Sequence, residues 1–206
     1  MFFVNRQSIK QQAKEDVRKN YLPWLIVAII AISLSFLQGY LQLTDQTSFV
    51  DGSARIQFQV RWLNIIEIIL LVPFSRLAIH LCTGTFRSIK ESLFKNEQWL
   101  RDIGALLLVA LYTFLWTLLF IIPGIIKGYS YSLVPYILAE DDTISITEAI
   151  ELSQRMTEGY KWELFVLDWS FILWDIAAGL TMGIIGFYSV PYQKATWTRY
   201  YLQLSR

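Results

Sequence analysis

From Ile103 to Ala139 the chain runs 37 residues with one charge, Lys127. A helix needs about 20 consecutive apolar residues to cross a bilayer, so this run exceeds one crossing. The Pro123-Gly124 pair near its middle is a natural break, because proline cannot donate to the helix ladder. The pattern predicts two short helices meeting there at a tight bend. A second run, Tyr21 to Thr44, carries no charge at all. Over the whole chain 54% of residues are apolar and 17% are charged, against roughly 25% charged in a soluble domain. These runs predict an all-α, polytopic helical membrane protein and argue against an ordinary cytosolic enzyme.

A single integral-membrane domain is expected over residues 1–206, with candidate spans at 21–44, 62–82, 103–121, 123–139, 162–179 and 182–200. The alternative has four spans, with Leu164 to Val190 as one long tilted helix. The first run is too long for the apolar core of a signal peptide and is expected to stay as a span. Before it, Ile9, Ala13 and Val17 recur at helical spacing beside Lys10, Lys14 and Arg18, which predicts a short amphipathic helix on the membrane surface. Asp45 to Arg61 is polar, with an Asp51-Gly52 turn signal and the alternation Ile56, Phe58, Val60, and reads as a small hairpin or extended loop. Ser145 followed by Glu148 forms a capping box. It opens a helix over 145–158 that Gly159 ends, with Ile146, Ala149, Ile150 and Met156 on the face expected to rest on the membrane. Pro191, Lys194, Trp197, Arg199, Tyr200 and Tyr201 make an ending typical of the headgroup zone.

Loop charges set the orientation. Arg6, Lys10, Lys14, Arg18 and Lys19, with Arg87, Lys90, Lys95 and Arg101 in a second loop, outweigh Arg55 and Arg61 across the membrane. The positive-inside pattern therefore places both termini of a six-span protein in the cytoplasm of a multi-pass cell-membrane protein.

Ionisable residues within the apolar runs are the most informative candidates: Glu67, Arg76, His80, Lys127, Asp168, Asp175 and Lys194. Each costs about 2.5–3.5 kcal/mol or more at a bilayer centre unless paired or hydrated. Depth along the six spans predicts the pairs Glu67 with Lys127 and Arg76 with Asp168, whereas four spans would bring Arg76 level with Asp175. Such a network serves as a proton or ion path or as a pocket for a charged amphiphile; structural ion pairing between short helices is the competing reading. Pro123, Gly124 and Gly128, and then Gly179 and Gly183, mark helix breaks or close packing at Gly-x-x-x-Gly spacing. Internal packing is favoured over dimerisation because both spacings begin at expected breaks.

Ile122-Pro123-Gly124-Ile125-Ile126-Lys127-Gly128-Tyr129-Ser130-Tyr131-Ser132, continued by Tyr136-Ile137-Leu138-Ala139-Glu140, resembles the signature of a family of bacterial integral-membrane proteins, the domain of unknown function 975. Glu148-Ala149-Ile150 with Ser153, Lys161 to Phe165, Asp168 with Ser170-Phe171, and Pro191-Tyr192 extend the similarity. Asp141-Asp142 stand where the family usually has Asn-Pro. The resemblance implies a polytopic membrane protein. A more distant similarity is to the membrane region attached to some glycerophosphodiester phosphodiesterases, which hints at lipids and carries no catalytic residue onto this chain.

Net charge of +1 excludes the strongly basic balance of a nucleic-acid binder. One cysteine, Cys82, and one histidine, His80, leave no disulfide framework and no zinc spacing. Ser92 and Lys95 stand in a Ser-x-x-Lys spacing without the companion motifs of that chemistry. With no catalytic, cofactor or metal signature, the expected function is non-enzymatic. The expected partners are membrane lipids and a protein or peptide in the bacterial envelope, with an accessory or immunity-type role. The alternative is a small transporter that uses Asp168, Asp175 or Glu67 as its coupling acid.

Overall fold

The computed structural model of the chain describes residues 6–46, 62–89, 92 and 98–205, with the side chains of 38–46 and 62–68 outside that description. The expected hairpin around Asp51-Gly52 lies outside the described residues. The described residues are overwhelmingly helical and contain no strand, so the all-α expectation holds.

Helix α1 (Arg6–Lys19) meets α2 (Tyr21–Gln46) at a 98° bend. Pro23 falls in the first turn of α2, where its missing N–H has no intrahelical acceptor to lose. The apolar stripe of α1 does form, but it rests on protein: Ile9, Ala13 and Val17 are buried with Trp24, Leu77, Leu164, Phe171 and Tyr192. Helix α3 (Trp62–Thr83) contains Pro73.

Helix α4 (Trp99–Leu119) and helix α5 (Ile121–Tyr131) fold back on each other. The break falls at Phe120, whose φ/ψ of −156°/139° is extended. It therefore precedes the expected Pro123-Gly124 position. Proline is tolerated in a first helical turn, so Pro123 helps to start α5 after a turn made by its predecessors. Gly124 lets the two backbones meet, since a Cβ there would lie 2.7 Å from the Thr117 Cα. At Gly128 a Cβ would stand 3.9 Å from Thr113, an ordinary contact.

The return continues through α6 (Val134–Glu140) to α7 (Ile146–Thr157). The N-cap half of the capping box is present: the Ser145 Oγ accepts from the Glu148 amide at 3.3 Å, while the Glu148 carboxylate accepts from the Ser145 hydroxyl at 3.2 Å. Gly159 follows at φ +83°. The face expected on lipid is occupied by protein, since Ala149, Ile150, Ser153 and Thr157 are buried and the Ser153 Oγ donates to the Ser130 carbonyl at 2.8 Å. Only Glu148, Glu151, Arg155 and neighbouring residues face outward.

Helices α8 (Lys161–Trp169), α9 (Ile172–Leu180) and α10 (Gly186–Leu204) complete the chain. A turn at Met182 (φ +51°) and Gly183 (φ +91°) reverses it between α9 and α10, with the Gly183 amide donating to the Ala178 carbonyl at 2.8 Å. The single long helix of the four-span alternative is therefore absent. Gly183 and Gly186 approach Ile32 of α2, whereas a Cβ at Gly179 would meet nothing within 4 Å. The close packing thus falls on the second glycine of the Gly179-x-x-x-Gly183 spacing and on Gly186, and not on Gly179.

The two reversals expose their apolar residues: Phe120 is 67% exposed, Ile121 71% and Met182 82%. At 1.5 Å per residue Phe120 stands roughly 28 Å along α4 from Arg101. Trp99–Leu119 is long and apolar enough to cross a membrane, and α1 with Tyr21–Leu37 passes the same test only as a bent pair.

Candidate functional site

The ionisable residues do not assemble into one network. Arg76 turns toward the end of α6, donating from Nε to the Ala139 carbonyl at 3.0 Å and from Nη2 to the Asp142 carboxylate at 2.5 Å. The expected Arg76–Asp168 pair is not formed, nor is Arg76–Asp175. The reason is local: helix C-terminal carbonyls lacking intrahelical donors, with an acid just beyond, offer a guanidinium all its acceptors at once. Lys127 lies over the Trp116 ring at 5.3 Å and donates to Gln154 Oε1 at 3.5 Å. The Glu67 side chain proposed as its partner lies outside those described. His80 Nδ1 is 2.9 Å from the Thr85 hydroxyl. Asp175 accepts from Gln193 Nε2 at 2.6 Å.

Two arginines missed as site residues, Arg101 and Arg199, organise the polar end together with Arg76. Arg199 holds Asp16 by two bonds of 2.5 and 2.7 Å and also donates to the Cys82 carbonyl at 2.9 Å. Arg101 donates to Asp102 and to the carbonyls of Leu138, Asp142 and Ile144. With Arg76, these contacts tie together the ends of α3, α6 and α10, the start of α4 and the helix α1. Tyr201 donates to Glu140, and Tyr200 to Glu163 at 3.0 Å. A sequence signal existed for one of them: Asp16 shares the buried face of Ile9, Ala13 and Val17, and an acid on an apolar stripe demands a partner.

Asp168 occupies a different place. Its Oδ2 accepts from the Tyr129 hydroxyl at 3.1 Å and its Oδ1 from Trp197 Nε1 at 3.2 Å. Both donors are neutral, and no ion pair to Asp168 forms among the described residues. The α8 helix ends at Trp169 and the chain turns at Ser170 and Phe171. The turn separates Asp168 from Asp175, which their spacing of seven residues would place on one face of a continuous helix. Asp168 opens into a cleft of about 400 Å³ between the α4–α5 hairpin and the α8 and α10 helices, lined also by Thr113, Thr117, Gly124, Ile125 and Ser132. A neighbouring hollow of about 370 Å³ shares Gly128, Ser132 and Trp197 with it and adds Ser75, Gln193 and Lys194. Both volumes lie in the range of small-molecule sites, roughly 300–1,000 Å³.

Chemically, a carboxylate with two neutral donors retains acceptor capacity on the side facing the cleft. Apolar walls with scattered hydroxyls suit an alkyl chain bearing a cationic head. Among the described residues no group of three His, Cys, Asp or Glu side chains could hold a metal.

Comparison with curated proteins found no match, and comparison with solved structures found none either. The similarity to the membrane region of glycerophosphodiester phosphodiesterases gains no support from them. Residues 117–206, which supply α5 to α10 and with them Tyr129, Asp168 and Trp197, match the family described as protein of unknown function (DUF975).

Proposed function

We propose that the chain is a multi-pass membrane protein that binds, without chemical conversion, an amphiphile carrying a cationic head group, the head at Asp168 and the tail along the α4–α5 hairpin. The observation that carries the reading is a carboxylate in a largely apolar cleft, oriented by Tyr129 and Trp197 and making no ion pair among the described residues. The membrane placement rests on the apolar residues exposed at both reversals and on the length of Trp99–Leu119. Six spans with both termini cytoplasmic are the preferred arrangement. The polar end organised by Arg76, Arg101 and Arg199 then lies at the cytoplasmic face. Lipids, or an envelope peptide with a basic end, are the ligand classes that meet this chemistry.

The test is binding of a fluorescent long-chain primary alkylamine to the full chain in neutral micelles. A hydrogen bond to a charged group is worth about 1.5–3 kcal/mol, so Asp168→Asn should weaken the amine roughly 10- to 150-fold and leave the alcohol of equal chain length unchanged. Equal loss of both ligands, or of neither, would reject Asp168 as the head-group site. The second reading, a small transporter, is favoured by the same carboxylate, held by neutral donors alone among the described residues. It requires pH-dependent amine flux in proteoliposomes that disappears in Asp168→Asn.

A further inference from the structure

A second cluster lies away from the cleft, along one edge of α1. Arg6, Lys10 and Lys14 repeat every four residues, so their side chains stack on one side of the helix. Lys10 Nζ sits 4.8 Å from the Phe171 ring centroid and donates to the Ser170 hydroxyl at 2.6 Å. Lys14 Nζ lies 5.5 Å from the Tyr192 ring. Among the described residues none of the three forms an ion pair, and the nearby Asp16 is taken by Arg199. Burial, and after it the charges of Arg6 and Lys14, lowers the Lys10 pKa. Crowded cations that form no ion pair among the described residues cost free energy that an arriving anion would recover.

What lies beside them points to the kind of anion. Phe171 and Tyr192 pack edge to face at 5.4 Å, and Trp174 continues the aromatic row against Tyr192 and Tyr188. From Ser170 the α9 helix runs onward with Leu173, Ile176 and Leu180 exposed. The 98° bend from α2 lays α1 across the helices that would enter the bilayer. Cations at the level of aromatic rings, followed by an exposed apolar helix, match the succession of phosphate, interface and acyl chain in a phospholipid.

We propose that Arg6, Lys10 and Lys14 form a binding site for the phosphate of an anionic phospholipid whose acyl chains lie along α9. The proposal rests on the membrane placement given above but not on the amphiphile assigned to Asp168.

The experiment is native mass spectrometry of the full chain in neutral detergent, titrated with phosphatidylglycerol or with phosphatidylcholine of the same chains. Each basic residue near an anionic headgroup contributes about 1 kcal/mol, so replacing all three by Gln should weaken phosphatidylglycerol on the order of 100-fold. Lys10→Arg with Lys14→Arg should keep wild-type binding, which separates lost charge from a damaged fold. Arg18→Gln with Lys19→Gln, exposed elsewhere on α1, should change affinity less than threefold. The site is refuted if that pair weakens binding as much as the triple variant, or if phosphatidylcholine binds equally well. Displacement by millimolar inorganic phosphate would assign the cluster to a soluble anion and overturn the lipid. Membrane placement is read separately, by resistance of the wild type to carbonate extraction. Asp168→Asn should retain phosphatidylglycerol in full, so failure of one site does not mimic failure of the other.

Discussion

Gly124→Ala tests the hairpin on which the cleft is built. A Cβ at residue 124 would stand 2.2 Å from Thr117 Oγ1, 2.7 Å from Thr117 Cα and 2.9 Å from Thr117 Cβ. The hydroxyl can rotate away, but the Cα is backbone, so the helices must separate. Overpacking of this kind costs about 1–3 kcal/mol, and a contact with backbone belongs in the upper part of that range. Alanine returns up to about 1 kcal/mol through its higher helix propensity, which leaves a net loss of about 1–2 kcal/mol. For a chain of this size 1 kcal/mol moves the thermal midpoint by about 2–4 °C, so a fall of roughly 2–8 °C is expected. The protein carries its own reporter: Cys82 is its single cysteine and is buried, so a fluorogenic thiol reagent reads unfolding on heating in micelles. Gly128→Ala, with only a 3.9 Å contact, should leave the midpoint unchanged or raise it by about 2–4 °C. Adding Thr117→Ala to Gly124→Ala should not restore stability, because the contact with the Cα remains. A Gly124→Ala protein as stable as wild type, or one rescued by Thr117→Ala, would refute the backbone-contact argument.

Three further outcomes are expected. Arg199→Gln leaves the buried Asp16 carboxylate without its cation and the Cys82 carbonyl without a donor; a loss of about 3 kcal/mol should appear as thiol labelling at a clearly lower temperature, and wild-type behaviour would show that α1 is not held by this pair. Hydrogen bonds from the Thr143 hydroxyl and amide lower the Asp141 pKa. A carboxyl more acidic when folded gives stability above its unfolded value and loses it as pH falls through the folded one, so the thermal midpoint should drop in that acid window, and Thr143→Ala should flatten the drop. For topology, a cysteine at the exposed Glu151 position in a Cys82→Ala background should react with an impermeant reagent only after cells are opened if six spans hold. Labelling of intact cells would place α7 outside.

Much of the local structure follows from residue order alone. The stripe Ile9, Ala13, Val17 makes α1, and Ser145 with Glu148 starts α7, because both depend on spacing within a few residues. The long apolar runs likewise require helices, since a backbone in an apolar setting must satisfy its own hydrogen bonds. Partners were decided by the tertiary structure. Asp168 and Asp175 share a face only while one helix joins them, and the turn at Ser170–Phe171 breaks that premise. Arg76 reaches the acceptors at the end of α6 instead of an acid at matching depth, because burial satisfies a guanidinium by the number and direction of acceptors as well as by charge. The bend at Phe120 in place of Pro123-Gly124 has the same origin: proline begins a helix as readily as it ends one, and the approach of Gly124 to Thr117 shows which role the packing selected. Residue order thus determined the helices and their apolar excess, which are local or additive properties. The reversals, the three arginine ties and the cleft at Asp168 were set by how the helices approach one another, and a residue of offset at a break turns every following side chain by about 100°.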